Sequence, residues 1–235
     1  MLIDLEGMSP AAAYHLMTQV IVPRPIAWVV SDNGAGDDVS RWNLAPFSYF
    51  NAIASAPPTV MFSIGRSGRE GVPTPGVKDT LANVTARPDH TIALPNRPQL
   101  EAVEITAMEA PPGESEMKLA GLDPVAWDWP VPMPSGARVA LGCRVETIVP
   151  IADGPQRVVL ARIHRIWVDD TAVTEDAKGR VKIDATMLDP LLRLGAGQYA
   201  AMGALAQLER IVRRTGWTDD SHLPSGPVHD QHGAS

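Results

Sequence analysis

The chain has 235 residues, of which 45% are apolar and 20% charged, enough for a sizeable core and unlike a wholly disordered chain. Its net charge of −7 argues against a nucleic-acid groove or an anionic membrane surface as the main partner. The single cysteine, Cys143, excludes an intramolecular disulfide framework and any CxxC redox or zinc motif, and reads as a small buried residue.

The 22 prolines and 19 glycines interrupt the chain too often for an all-helical bundle. Asp4 and Glu6 stand where a secretory signal needs basic residues, and no stretch reaches the roughly 18 apolar residues of a membrane span. A cytoplasmic protein is expected. Ser9-Pro10 caps and opens a helix that continues through residues 11–19. Pro23 and Pro25 end it, and residues 26–31 read as a strand. A loop over 32–38, with the turn pair Asn33-Gly34, leads to a second β run over 40–51. Residues 59–64 form a third strand after Pro57-Pro58. A Gly/Pro-rich loop over 65–77 precedes a helix over 79–86, stopped by Pro88. A short strand follows at 90–94, then helical segments at 100–108 and 114–120. Three prolines restrict residues 127–135 to loop or edge. Residues 137–150 and 156–168 form an antiparallel hairpin through Ala152-Asp153-Gly154-Pro155. Residues 185–214 have helical spacing, broken early by Pro190, Gly195 and Gly197. The polar tail 216–235 is expected to be disordered, after one domain over 1–215. This order fits a single β-barrel-like domain with peripheral helices better than a doubly wound parallel sheet.

Most motif matches fail on their context. Gly195-Ala196-Gly197 lacks the preceding strand of a dinucleotide fingerprint and reads as a tight turn. Residues 71–78 nearly spell a P-loop, but Asp79 stands where Ser or Thr is needed. The same segment still runs a Gly-rich loop into Lys78-Asp79-Thr80 at a helix start, which either holds one phosphate or is capped by Asp79 or Thr80. The six histidines form no metal set, and Glu114 and Glu116 read as solvated or capping residues. In residues 41–51, Asn43, Ser48 and Asn51 sit among apolar neighbours, with Pro46 interrupting the ladder. Either they bond nearby backbone in a kinked edge strand, or they meet the donors and acceptors of a flat heteroaromatic ligand.

Six blocks then occur in one order. They are Val22-Pro23-Arg24-Pro25-Ile26-Ala27-Trp28-Val29, Asn43 through Asn51, Pro57-Pro58 through Gly65, Lys78-Asp79-Thr80-Leu81-Ala82-Asn83, Lys118-Leu119-Ala120-Gly121-Leu122, and Leu191-Leu192-Arg193-Leu194-Gly195. Spanning about residues 20–200, they resemble the flavin reductase-like family. The resemblance implies an FMN-binding split β-barrel, mainly β with peripheral helices (α+β), antiparallel and of Greek-key type. It implies a homodimer with one FMN per subunit near the interface, FAD being the alternative flavin. Ser63, Arg66, Lys78, Asp79 and Thr80 become the phosphate end. Asn43, Leu44, Ala45, Ser48 and Asn51 become ring and ribityl contacts, Leu44 and Ala45 through their backbone. Arg24 reaches the phosphate or a dimer neighbour, or else makes a surface ion pair.

The implied activity is hydride transfer from NAD(P)H to flavin, with NAD(P)H as substrate and no catalytic side chain required. Reduced flavin would pass to a monooxygenase or other redox partner. The alternatives are an FMN-containing electron carrier of flavoredoxin type and a barrel that has lost its flavin.

Overall fold

The computed structural model describes residues 1–36, 38–67, 76–110 and 114–205. Met1–Gly203 form one compact unit, and a second, Ala204–Ser235, lies almost wholly outside the described residues. The tail, its three histidines, the end of the expected last helix and most of the 65–77 loop fall there too.

In chain order the elements are α1 (Pro10–Val20), β1 (Arg24–Pro25), β2 (Ala27–Asp32), β3 (Trp42–Phe47), β4 (Phe50–Ser55), β5 (Pro58–Ile64), α2 (Asp79–Ala86), β6 (Asp89–Ala93), α3 (Leu100–Ile105) and α4 (Glu116–Leu119). They continue with β7 (Pro124–Trp127), β8 (Trp129–Pro134), β9 (Val139–Pro150), β10 (Arg157–Val168), β11 (Val173–Glu175), β12 (Val181–Ile183), α5 (Ala185–Leu188), β13 (Leu192–Arg193) and β14 (Tyr199–Ala200). Seven strands form one sheet in the order β3-β2-β6-β9-β10-β5-β4, and every pairing in it is antiparallel. This is the expected mainly β, antiparallel barrel with peripheral helices.

The sheet carries a core on each face. Ala27 and Val29 of β2 face the inner core with Phe47, Phe62, Ile64, Ile92, Val139, Leu141, Cys143 and Val159. Trp28 and Val30, one residue out of phase, face an outer core with Leu44, Ala93, Val103, Met117, Val131 and Ala140. Two buried faces explain why β2 is an unbroken apolar run rather than an alternating one. α3, α4 and the β7–β8 hairpin cover the outer core. Trp28 Nε1 donates to Thr106 Oγ1 at 2.8 Å, tying the end of α3 to the sheet. Gly142 admits the Trp129 ring, because a Cβ there would lie 2.7 Å from Trp129 Cδ2.

α1, α2 and the β9–β10 hairpin form where the sequence places them, and Ser9 caps α1 by accepting from Ala12 N. Two expectations change, and one open alternative is decided. The run over 40–51 is not one strand: a 3-10 turn over Asp38–Arg41 precedes β3, and the chain breaks at Ser48-Tyr49 before β4. Residues 127–135 are edge rather than loop, with β8 paired to β7. Pro130, Pro132 and Pro134 share one parity, so their missing N–H groups fall on one side of the strand. The helical spacing from 185 fails after Leu188. Asp189 takes a left-handed conformation, and β13 and β14 fold back onto β1 through a turn at Ala196-Gly197. Helix α3 also ends at Ile105 rather than 108, and β11–β12 adds a hairpin that the sequence pattern does not announce.

Two titratable groups are sealed in the inner barrel. Burial pushes the Cys143 thiol up to about 12, which leaves it unreactive. His90, fully buried, bonds the Pro88 carbonyl through Nδ1 at 3.0 Å and packs edge-on to Phe62. Burial lowers its pKa from 6.5 to about 4. A neutral buried imidazole contributes stability that is fully present above pH 6.5 and is lost as the pH falls toward 4, by roughly 3 kcal/mol. Urea unfolding across this window is expected to show that loss in the parent protein and a much flatter profile in His90→Leu.

Candidate functional site

The break at Ser48-Tyr49 organises the site. β3 and β4 are the two edges of the sheet, and Tyr49 O accepts from Ser63 N of β5 at 2.9 Å, extending the β4–β5 ladder by one step. Four clefts open around Pro46, Phe47, Ser48 and Tyr49. The structure brings ten of the eleven expected residues to their walls.

Asn43, Ala45, Lys78, Asp79 and Thr80 line the first cleft, with Thr106, Glu109 and Glu116. Asn43 and Thr80 are buried. With its amide turned to satisfy its neighbours, Asn43 accepts from Thr80 Oγ1 at 3.0 Å and from Leu44 N at 3.2 Å, and donates to Glu116 Oε2 at 3.3 Å. Asn43 thus meets both a side chain and backbone. Leu44 is the exception among the eleven: its side chain is buried in the outer core. Glu116, expected to be solvated or capping, is buried.

Ser48, Ser63, Arg66 and Lys78 line a second cleft of about 350 Å³, with Tyr14, Tyr49, Gly65 and Gln156. Among the described residues it is lined by two cations and no carboxylate, whereas Asp79, Glu109 and Glu116 line the first cleft. Two contacts hold the ends of the intervening loop together. Ser67 N donates to Gly76 O at 3.2 Å. Gly76, at φ +91°, lies against Arg66, where a Cβ would come within 2.7 Å of Nε. Lys78 is the N-cap of α2 and makes no side-chain capping bond there. Of the two capping alternatives from the sequence, the one through Thr80 is not seen, because its hydroxyl is bonded to Asn43. Asn83 fixes the other end of α2, its Nδ2 donating to Ser31 Oγ at 3.2 Å and Asn33 Oδ1 at 2.8 Å.

Arg24 makes no surface ion pair. It is buried, and Nη1 donates to Thr18 O and Ile21 O at 2.6 Å each, Nη2 to Leu194 O at 2.9 Å. It closes the C-terminal end of α1 and ties it to the β13–β14 turn. Nε points to Ser48 Oγ at 3.5 Å. Asn51 and Ser48 line an apolar groove of about 490 Å³ with Met17, Ile21, Met61 and Val158. Sequence reasoning missed Tyr14, Gln156, Ser67, Glu109 and the buried state of Glu116. Only Glu116 had a sequence signal, a Ser115 cap just before it.

The donor set suits a flavin nucleotide. The serines, two cations and the start of α2 match a phosphate, and the aromatic and amide walls match a polar ring. Among the described residues, no group of three or more His, Cys, Asp or Glu side chains is placed to hold a metal ion, and no helix is long and apolar enough to cross a membrane.

The model of the flavin reductase like domain matches residues 17–192. Component B of a nitrilotriacetate monooxygenase from Bacillus cereus superposes with a TM-score of 0.76 at 30% identity, over 88% of this chain and 98% of that one. An uncharacterized protein of Deinococcus radiodurans is 30% identical over 211 residues, 89% of each chain. Flavoredoxin of Desulfovibrio vulgaris (Miyazaki F) shares the fold, with a TM-score of 0.65 at 19% identity over 88% of this chain and 97% of that one.

Because Arg24, alone among the described residues, joins α1 to the β13–β14 turn through charged donors, Arg24→Met is expected to lower unfolding free energy by about 2–4 kcal/mol. Urea denaturation measures it, and Arg24→Lys is expected to recover part of the loss.

Proposed function

The chain belongs to the flavin reductase like domain family, and we propose from that premise that it binds FMN and passes hydride from NAD(P)H to the flavin. The observation that carries this reading is the cleft formed by Ser48, Ser63, Arg66 and Lys78, with two cations and no carboxylate among its described residues, at the start of α2, where the N-cap Lys78 makes no side-chain capping bond. A phosphate there meets two cations and the positive end of a helix. The opposite, acidic cleft would repel it, so in this reading Asp79 and Thr80 shape the wall and leave the phosphate to their neighbours. Asn43 and the backbone at Leu44 and Ala45 would hold ring and ribityl groups, with Ser48 at the junction. FAD is the less favoured flavin, since its second phosphate would need further cations.

Held by these residues, a flavin would supply the redox chemistry as the hydride acceptor. The residues of this chain bind and orient. Thr80 and Glu116 lock the Asn43 amide so that its donor and acceptor are fixed before ligand arrives. Arg24 sets the position of Ser48. No side chain acts as nucleophile.

The exposed Tyr14, Met17, Val20 and Ile21 of α1 and its flank, and exposed Ile53 of β4, lie on the elements bordering the apolar groove. They support a homodimer that covers this groove, in which Asn51 would meet a neighbour. The naming of one solved relative as a monooxygenase component supports delivery of reduced flavin to a second protein. The flavoredoxin likeness keeps one alternative, an FMN electron carrier without efficient NAD(P)H oxidation.

Purified protein mixed with free FMN is expected to quench its fluorescence and to speed the loss of NADH or NADPH absorbance. Quenching without oxidation of either nucleotide selects the electron carrier; no quenching sinks both. Lys78→Ala is expected to weaken FMN about 10- to 100-fold, the size of one charge-assisted contact, and unchanged affinity would move the phosphate elsewhere.

A further inference from the structure

Lys78, the cation shared by both clefts, already has an anion beside it. Its Nζ lies 3.7 Å from Glu109 Oε1. The other carboxylate oxygen, Oε2, accepts from Ser67 Oγ at 2.9 Å. Glu109 therefore bridges both ends of the loop whose arms, Arg66-Ser67 and Gly76-Val77-Lys78, flank the cationic cleft. Its backbone is anchored on both sides. Thr106, three residues before it, is buried and bonded by Trp28 Nε1, and Ala110, just after it, is buried. The carboxylate thus stands on a short exposed segment held between two buried residues. Both partners are partly shielded, with side-chain exposures of 32% for Lys78 and 27% for Glu109, so solvent screening of the pair is incomplete.

We propose that Glu109 is the residue that sets the affinity of this site for anionic flavins, by acting as an internal counter-ion that a phosphate must displace. The inference rests on the flavin reading of the same cleft and deepens it. A phosphate approaching Lys78 meets a carboxylate already paired there. Binding exchanges one ion pair for another, so its net gain is small. The consequence is exchangeable flavin, a substrate that comes and goes rather than a permanently held group.

The experiment compares Glu109→Gln with the parent protein, titrating each with FMN and with riboflavin, which lacks the phosphate. Gln keeps an oxygen that accepts from Ser67 but removes the charge. The expected result is FMN bound roughly three- to tenfold more tightly by the variant, the scale of a partly exposed ion pair, with riboflavin affinity unchanged. FMN affinity that stays the same or falls, or an equal shift for both flavins, overturns the role of Glu109. If neither protein takes FMN, the flavin reading itself fails. Inorganic phosphate then decides the counter-ion role alone: stronger thermal protection of the variant than of the parent upholds it, and equal protection removes it.

Discussion

Two residues decide the shape of this protein. Ser48 and Tyr49 alone join β3 to β4, the two opposite edges of a seven-stranded sheet. Three peptide steps reach about 11 Å, whereas six strand spacings laid flat would separate those edges by about 29 Å. The sheet must roll until its edges nearly meet. It closes without a β3–β4 ladder among the described pairings, so the barrel stays split along this seam. Pro46 fits there because an edge strand tolerates a missing donor. The seam is where clefts open, and the chain places its hydroxyls, amides and cations around it.

Closing the sheet also creates two cores from one set of strands, and this governs which polar groups can be buried safely. β6 places His90 and Ile92 inward and Thr91 and Ala93 outward. Thr91 finds the Val131 carbonyl of β8 at 2.7 Å, while His90 has only Pro88 for its Nδ1. Its Nε2 has no partner, which is tolerable for a neutral imidazole and costly for a charged one. The outer face has room for polar partners because a hairpin and short helices cover it. The lumen, packed by the sheet against itself, does not.

How much of this was legible depends on range. Helix α2 and the β9–β10 hairpin are set by neighbours in sequence: Pro88 and a helix-forming run for one, Gly154-Pro155 and β-branched alternation for the other. The break at Ser48-Tyr49 is not local; it exists because the two flanks pair with different strands. The same holds for β13 and β14. Leu191, Leu192 and Leu194 fall within the run expected to be helical, yet Leu191 belongs to the outer core, and Arg193 pairs with Arg24, far away in sequence. The candidate residues were findable because they cluster in short blocks, and ten of eleven line the seam. Their division into an acidic and a cationic cleft was not, since Glu116 reads as solvated or capping and nothing in the sequence singles out Glu109. Nor was the duty of Arg24, which closes a helix whose last carbonyls it meets only after the chain turns at Pro23 and Pro25.

That division resolves a tension in the composition. A chain of net charge −7 is a poor general attractor of anions, and long-range steering would work against a phosphate. The fields that matter at binding distance are shorter, because salt damps exposed charges beyond about 8–10 Å. Within that range the two sides of Lys78 differ in sign: Arg66 on one, and Asp79, Glu109 and Glu116 on the other. In the proposed reading, an anionic ligand entering the seam would be oriented rather than merely attracted, with its charge toward Arg66 and its neutral part toward Asn43. Orientation by a charge gradient needs carboxylates beside the cations, so the acids at this site work toward the same end as the lysine they oppose.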